Sequence, residues 1–145
     1  EGYNYDTGCI DFPKKRWKAC LEKRIKEKRF FAYIKDTKLD KYVGYVNYHY
    51  NKANDRYECG IVIESIHRGK GYAKKGLQLL IKEAFDNSIE ALYDNFEKDR
   101  SNTLNLFKSV GFKVIEETTW KKFNKDVKGV VVCLKKEDVS LWKEK

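Results

Sequence analysis

The apolar run Ile61-Val62-Ile63 gives way to a basic loop with two glycines, and an amphipathic helix begins directly behind it. In full the segment reads Ile61-Val62-Ile63-Glu64-Ser65-Ile66-His67-Arg68-Gly69-Lys70-Gly71-Tyr72-Ala73. A strand that turns through a short loop into a helix start leaves unpaired N–H groups and the positive end of a helix dipole facing the loop. Gly69 and Gly71 let a ligand reach that backbone without side-chain hindrance. The segment predicts a place to hold a phosphorylated ligand.

Two well-known phosphate loops are excluded by counting. A dinucleotide fingerprint starting at Gly69 requires glycine at position 74, where Lys74 stands. A nucleoside-triphosphate loop could use Gly71 and Gly76, but Leu77 and Gln78 follow in place of the lysine and hydroxyl that hold the terminal phosphates and magnesium.

The rest of the chain supplies a sheet. Arg29 to Lys35, Tyr42 to Tyr50 and Tyr57 to Ile63 read as strands, the last two forming a hairpin around the polar turn Asn51–Arg56. Ala73, Leu77, Leu80, Ile81 and Ala84 mark one side of a helix that runs from Gly71 to about Asn87. Ile89 to Phe96 is a further strand. Ser101 is placed to cap a short helix with Leu104 and Phe107 inward, which Gly111 stops. Phe112 to Thr119 and Val127 to Leu134 make a final strand pair around a polar, lysine-rich loop. Before the first strand, Trp17, Leu21 and Ile25 recur every four positions behind Pro13, so Pro13 to Lys28 reads as a helix with one core-facing stripe. This mixed order predicts one α/β (α+β) domain over residues 1–145, with a single central sheet.

Charge and cysteine content narrow the functional classes. The net charge is +9, concentrated in Pro13–Lys28, where eight Lys/Arg face two Glu. That face is read as solvated or as an attractor of anionic ligands, with dedicated nucleic-acid binding the weaker reading. Cys9, Cys20, Cys59 and Cys133 form no C-x-x-C pair, and His49 and His67 lie at no metal-ligand spacing from them, so no metal is expected. No apolar run approaches the length of a membrane span and nothing at the start resembles a secretion signal, so a reduced, cytoplasmic protein is expected. The chain begins with Glu1 and has no methionine, which is read as a form that starts after the natural start.

A third pattern fits the loop. Arg68-Gly69-Lys70-Gly71-Tyr72-Ala73 matches R-x-x-G-x-G/A, and some forty residues on, Leu104-Asn105-Leu106-Phe107-Lys108-Ser109-Val110-Gly111-Phe112 is a helix ending in a Gly-Phe step. With Tyr57–Ile63 as the preceding strand, the chain resembles the GCN5-related N-acetyltransferases from the hairpin to Gly111-Phe112. The resemblance implies the acyl-CoA N-acyltransferase fold: a mixed, mostly antiparallel sheet flanked by helices. The family's first strand is then either a degenerate remnant in Tyr3–Ile10 or missing from this chain.

The resemblance also implies a layout for the site. Backbone N–H groups of Gly69, Lys70, Gly71, Tyr72 and Ala73 would hold the pyrophosphate of acetyl-CoA, with Arg68 and Lys70 adding charge. The backbone of Ile61 and Ile63 would pair with the pantetheine arm, and the Ile63 amide would stabilise the negative charge that develops on the thioester oxygen. Transfer would go directly to an amine acceptor, with no acyl-enzyme. A protonated amine must first lose a proton, and Glu58, which resembles a glutamate found in polyamine- and ribosomal-protein-type members, is the first candidate for general base. Strand alternation puts Glu58 on the face of Gly60 and Val62, opposite Tyr57, Cys59 and Ile61. Glu64 and His49 are the next candidates.

Two positions depart from the family. Phe107 stands where many members carry the tyrosine that protonates the leaving thiolate, leaving Tyr93, Tyr72 or solvent for that task. Arg100 replaces the usual asparagine, and Asn102 or Asn95 is left to contact the pantetheine. Phe107 and Asn102 are still placed in the cofactor-binding set. Trp120 and the region of Trp17 would border the acceptor channel. The basic exterior disfavours polyamines and cationic antibiotics and mildly favours neutral or acidic acceptors. Family members are often dimers, but no strip of this sequence marks an interface. The leading reading is an acetyl-CoA-dependent N-acetyltransferase acting on a primary amine of a small molecule or protein. The alternatives are a non-catalytic acyl-CoA sensor and a basic nucleic-acid-binding module.

Overall fold

A computed structural model of the chain describes residues 29–142, together with 14–16, 18, 19 and 22. The helix expected over Pro13–Lys28 and the remnant expected in Tyr3–Ile10 lie outside the described residues, apart from a 3-10 turn at Lys14–Arg16 and three single positions. Among the described residues, six strands and two helices follow one another as β1 (Arg29–Asp36), β2 (Lys41–Asn51), β3 (Arg56–Ile63), α1 (Tyr72–Asp86), β4 (Ala91–Glu97), α2 (Ser101–Ser109), β5 (Lys113–Lys122) and β6 (Lys125–Lys135). They form one sheet in the order β1-β2-β3-β4-β6-β5. Every neighbouring pair is antiparallel except β3 and β4.

Local chemistry fixes the turns. Asp36 Oδ1 accepts the N–H groups of Lys38 (2.8 Å) and Leu39 (2.9 Å) and closes the β1–β2 connection. Asn51 Oδ1 does the same for Ala53 (2.9 Å) and Asn54 (3.3 Å) between β2 and β3. Between β5 and β6 the strands run on through most of the stretch expected to be a loop. Trp120 pairs with Val127 and Lys122 with Lys125, leaving only Phe123 and Asn124 as the turn. Both have positive φ, 50° and 62°, the backbone of a tight two-residue hairpin, whose twist matches that of the strands it joins. Lysine-rich composition concealed this, because alternating lysines on exposed strand positions look like loop.

The core lies between the sheet and the two helices. Leu77, Leu80, Ile81, Ala84 and Phe85 of α1 are buried, with Leu92 and Phe96 of β4 and Val130, Val132 and Leu134 of β6 beneath them. Each large apolar side chain buried there contributes about 1.5–3 kcal/mol. Helix α1 packs on β2 and β3 and also touches β4 and α2. Helix α2 begins at Ser101 itself, with Arg100 at the cap position and no side-chain cap, so the expected serine cap is not formed. Its end follows the sequence closely. The N–H of Gly111 (φ 105°) bonds to Lys108 C=O at 3.0 Å, and that of Phe112 bonds to Phe107 C=O at 3.1 Å. The Phe107 and Phe112 rings meet at 4.9 Å. This Schellman turn with its hydrophobic contact is the physical content of the Gly-Phe step.

Candidate active site

The one parallel junction of the sheet is barely a junction. β3 and β4 share a single register pair, Glu58 with Tyr93, and diverge beyond it. The ladder directions show which groups face the gap. Glu64 N–H bonds to Val43 C=O on β2 at 2.9 Å, so by antiparallel alternation the even-numbered residues of β3 bond to β2, and the N–H and C=O of Ile61 and Ile63 point toward β4. Lys98 N–H bonds to Lys128 C=O (3.0 Å) and Lys136 N–H to Glu90 C=O (2.9 Å), so the even-numbered residues of β4 bond to β6. Asn95 N–H therefore faces β3. It is taken by the Oδ1 of Asp94 at 2.8 Å instead of by a strand.

Beyond the open end of β3 lies the glycine loop. Gly69 and Gly71 have φ of 75° and 83°, and a Cβ on either would meet nothing within 4 Å. Glycine is needed there for the backbone conformation and leaves the approach open. Gly71 occupies the cap position of α1 without a side-chain cap, and the first backbone bond into the helix is Lys75 N–H to Gly71 C=O, 3.4 Å. The N–H groups of Tyr72, Ala73 and Lys74 thus have no backbone partner at the helix start, as the sequence implied. Arg68 folds back, and its Nε donates to Ile63 C=O at 3.0 Å, clipping the loop to the gap strand. Tyr72 hydroxyl donates to Asp36, tying the start of α1 to the end of β1.

On the face of the sheet away from α1 sits Glu58, buried. Its Oε1 accepts from Asn51 Nδ2 (2.6 Å) and Asn54 Nδ2 (3.2 Å) and lies 3.5 Å from Arg56 Nε. Arg56 lies over the Tyr93 ring, 5.1 Å from its centroid. His49 is the cross-strand register partner of Glu58. On the other face, in line with Leu92 and Phe96, the half-buried Asp94 lies at the root of the gap. Burial pushes its carboxyl up to about 8; the Asn95 N–H opposes that rise, the Glu58 charge adds to it, and Arg100 and Arg56 also oppose it. Burial likewise pushes up the thiol of Cys59, with the charge of Asp94 contributing.

The sequence pattern of the Acetyltransferase (GNAT) family matches residues 5–112. The chain belongs to this family. Solved GNAT-type structures agree with it in fold. Spermidine N-acetyltransferase from Vibrio cholerae, in complex with CoA and spermine, superposes with a TM-score of 0.81 at 15% identity, covering 94% of this chain and 83% of that one. Ribosomal-protein-alanine N-acetyltransferase from Brucella melitensis gives 0.78 at 19% identity, covering 90% and 83%. The yncA protein of Salmonella typhimurium, solved with its cofactor acetyl-CoA, gives 0.77 at 18% identity, covering 90% and 78%. Among curated proteins, none matches the chain by sequence.

In this GNAT chain the gap and the loop bring together Ile61, Ile63 and Arg68 through Ala73. Asn102 is exposed in the first turn of α2. Phe107 is fully buried, with its ring 5.4 Å from Phe96 and 4.9 Å from Phe112, so its side chain packs in the core. Of the tyrosines considered as its substitute, Tyr72 donates to Asp36, and a hydrogen bond with Cys133 raises the Tyr93 phenol. Glu64 is exposed and lies 3.6 Å from His67 Nε2. Trp120 packs over the backbone of Gly129. The sequence reading missed Asn51, Asn54 and Arg56 as the setting of Glu58, and it missed Asp94. Asp94 did leave a signal, since a carboxylate stands at the apolar phase of Leu92-x-Asp94-x-Phe96.

Proposed function

We propose that this protein transfers an acetyl group from acetyl-CoA directly to a primary amine of a small molecule or protein. The observation that carries the proposal is the continuity of the glycine loop with the open edge of β3. Unpaired helix-start N–H groups stand at one end, and the N–H groups of Ile61 and Ile63 face the gap at the other. This surface fits a ligand with a pyrophosphate and an amide-bearing arm. Gly69 to Ala73 would hold the pyrophosphate, with charge from Lys70 and from Arg68 in its clipped position. The Ile61 and Ile63 backbone would align the arm, and Asn102, exposed in the first turn of α2, would contact it. Acetyl-CoA, when bound, supplies an activated acyl group.

The Ile63 N–H is the donor assigned to the oxygen on which charge develops. Glu58, held by Asn51 and Asn54, is assigned to take the proton that the acceptor ammonium must lose. The amine-acetylating enzymes among the structural neighbours support an amine acceptor.

The test is a thermal-shift measurement with acetyl-CoA, followed by thiol release over a panel of amines. Acetyl-CoA is expected to raise the melting temperature. Glu58→Gln is expected to keep that shift and lose about 100-fold or more in rate. An absence of protection overturns the proposal. Protection without thiol release, unaffected by Glu58→Gln, replaces the enzyme with an acyl-CoA sensor.

A further inference from the structure

Glu58 and Asp94 stand at one level of the sheet and on opposite faces of it. Glu58 is in register with Tyr93, and Asp94 is the next residue. Glu58 looks away from α1, whereas Asp94 shares the helix-side phase of Leu92 and Phe96. Its carboxyl is drawn over the gap by the bond from Asn95 N–H, a group that faces β3. No step assigned so far uses it.

Resting on the acetyl-transfer reading, we infer that Asp94 is the acid that protonates the departing thiolate of coenzyme A. With Glu58 on one face and Asp94 on the other, a thioester lying in the gap can meet the amine on the Glu58 side while its sulfur stays within reach of Asp94. As the new C–N bond forms and the C–S bond breaks, the sulfur takes the Asp94 proton. The nitrogen sheds two protons over the reaction: one restores Asp94 and the other leaves through Glu58 to solvent. The sum is ammonium plus thioester giving amide, thiol and one proton.

The match of acidities suits the task, because a thiolate whose thiol has a pKa of about 8.5 accepts a proton readily from a carboxyl held near 8. The charged and titratable groups around that carboxyl are Glu58, Arg56 and Cys59 of β3 and Arg100 ahead of α2. The assignment also accounts for a buried Phe107, since no hydroxyl is then needed from α2.

Asp94→Asn, which keeps an oxygen for the Asn95 N–H, is the test. With acetyl-CoA and an accepted amine, it is expected to lower kcat about 100-fold while leaving KM for acetyl-CoA within about threefold. The wild type is expected to lose rate above about pH 8 through a limb that Asp94→Asn lacks. A second readout needs no turnover. The thiol of bound CoA, titrated by its ultraviolet absorbance, is expected to ionise about one pH unit higher in the wild type, where a carboxylate faces it.

Identical thiol titrations together with rates that agree within about threefold overturn the inference and leave the acetyl-transfer reading intact. Failure of both proteins to bind CoA overturns both. If the wild type binds CoA but acetylates no amine, the titration decides: dependence on Asp94 supports its contact with sulfur, and indifference overturns it.

Discussion

Gly44 on β2 is the position where a single methyl group tests the most of this structure. A Cβ placed there would lie 2.1 Å from the Val62 carbonyl oxygen and 3.0 Å from the Ile63 Cα, both backbone atoms of β3. Neither can swing aside as a side chain could. The strands must separate locally by about 1 Å to restore ordinary contact. Overpacking of this kind costs roughly 1–3 kcal/mol. The neighbouring Glu64–Val43 ladder bond, at 2.9 Å, adds about 1 kcal/mol if it opens. Against this, alanine in a strand is favoured over glycine by about 0.5–1 kcal/mol. Gly44→Ala is therefore expected to lose about 1–3.5 kcal/mol, a drop in melting temperature of roughly 3–12 °C for a domain of this size.

The displacement falls on Val62 and Ile63, at the mouth of the gap. The same variant is therefore expected to bind acetyl-CoA about tenfold or more weakly by calorimetry at a temperature where it is folded. Urea unfolding gives the first quantity. A variant as stable as the wild type and with unchanged affinity would refute both the closeness of β2 to β3 and the assignment of the β3 edge to the cofactor. Lost stability with intact affinity would refute the assignment alone.

Two further outcomes follow from burial. Phe107→Ala removes a fully buried ring from between Phe96 and Phe112 and is expected to cost about 3–5 kcal/mol in urea unfolding. Phe107→Tyr is expected to cost about 1–3 kcal/mol, because its hydroxyl enters an apolar cluster. Asp94 has a raised folded-state pKa, so between 3.8 and about 8 the native state binds more protons at this site than the unfolded chain. Its contribution to stability falls as pH rises through that window. Asp94→Asn is expected to gain melting temperature relative to the wild type across the window and to hold a constant advantage above it, and melting curves that stay parallel at all pH values would contradict this.

The elements that repeat a period were legible in the sequence. Leu77, Leu80, Ile81 and Ala84 declare α1, and the strands fall within one or two residues of where they were read, except that β5 runs three residues past Thr119 to Lys122. Phe112 after Gly111 is legible for the same reason, as a local motif whose contact partner is five residues away. What was not legible is non-local. The separation of β3 from β4 depends on two strands linked through α1, and no residue on either strand announces it. Asn51 reads as a turn residue and is one, yet its amide also holds Glu58 across the hairpin. Phe107 was read as inward on its helix, and it is; that its ring would meet both Phe96 and Phe112 was not legible. Asp94 reads as an ordinary polar strand residue until its phase is set against Leu92 and Phe96.

The single rung between β3 and β4 divides the sheet into two leaves, each built from chain segments that are near neighbours in sequence. β1, β2 and β3 make one meander; β4, α2, β5 and β6 make the other. Helix α1 is the spine that binds them, since it packs on both. Such a sheet lacks a length of strand, and an arm bearing amides along the Ile61–Ile63 edge would supply it. The ligand then takes part in the architecture as well as the chemistry. Its arrival would stiffen the seam between the leaves, and its departure would leave that seam as the place where this protein breathes.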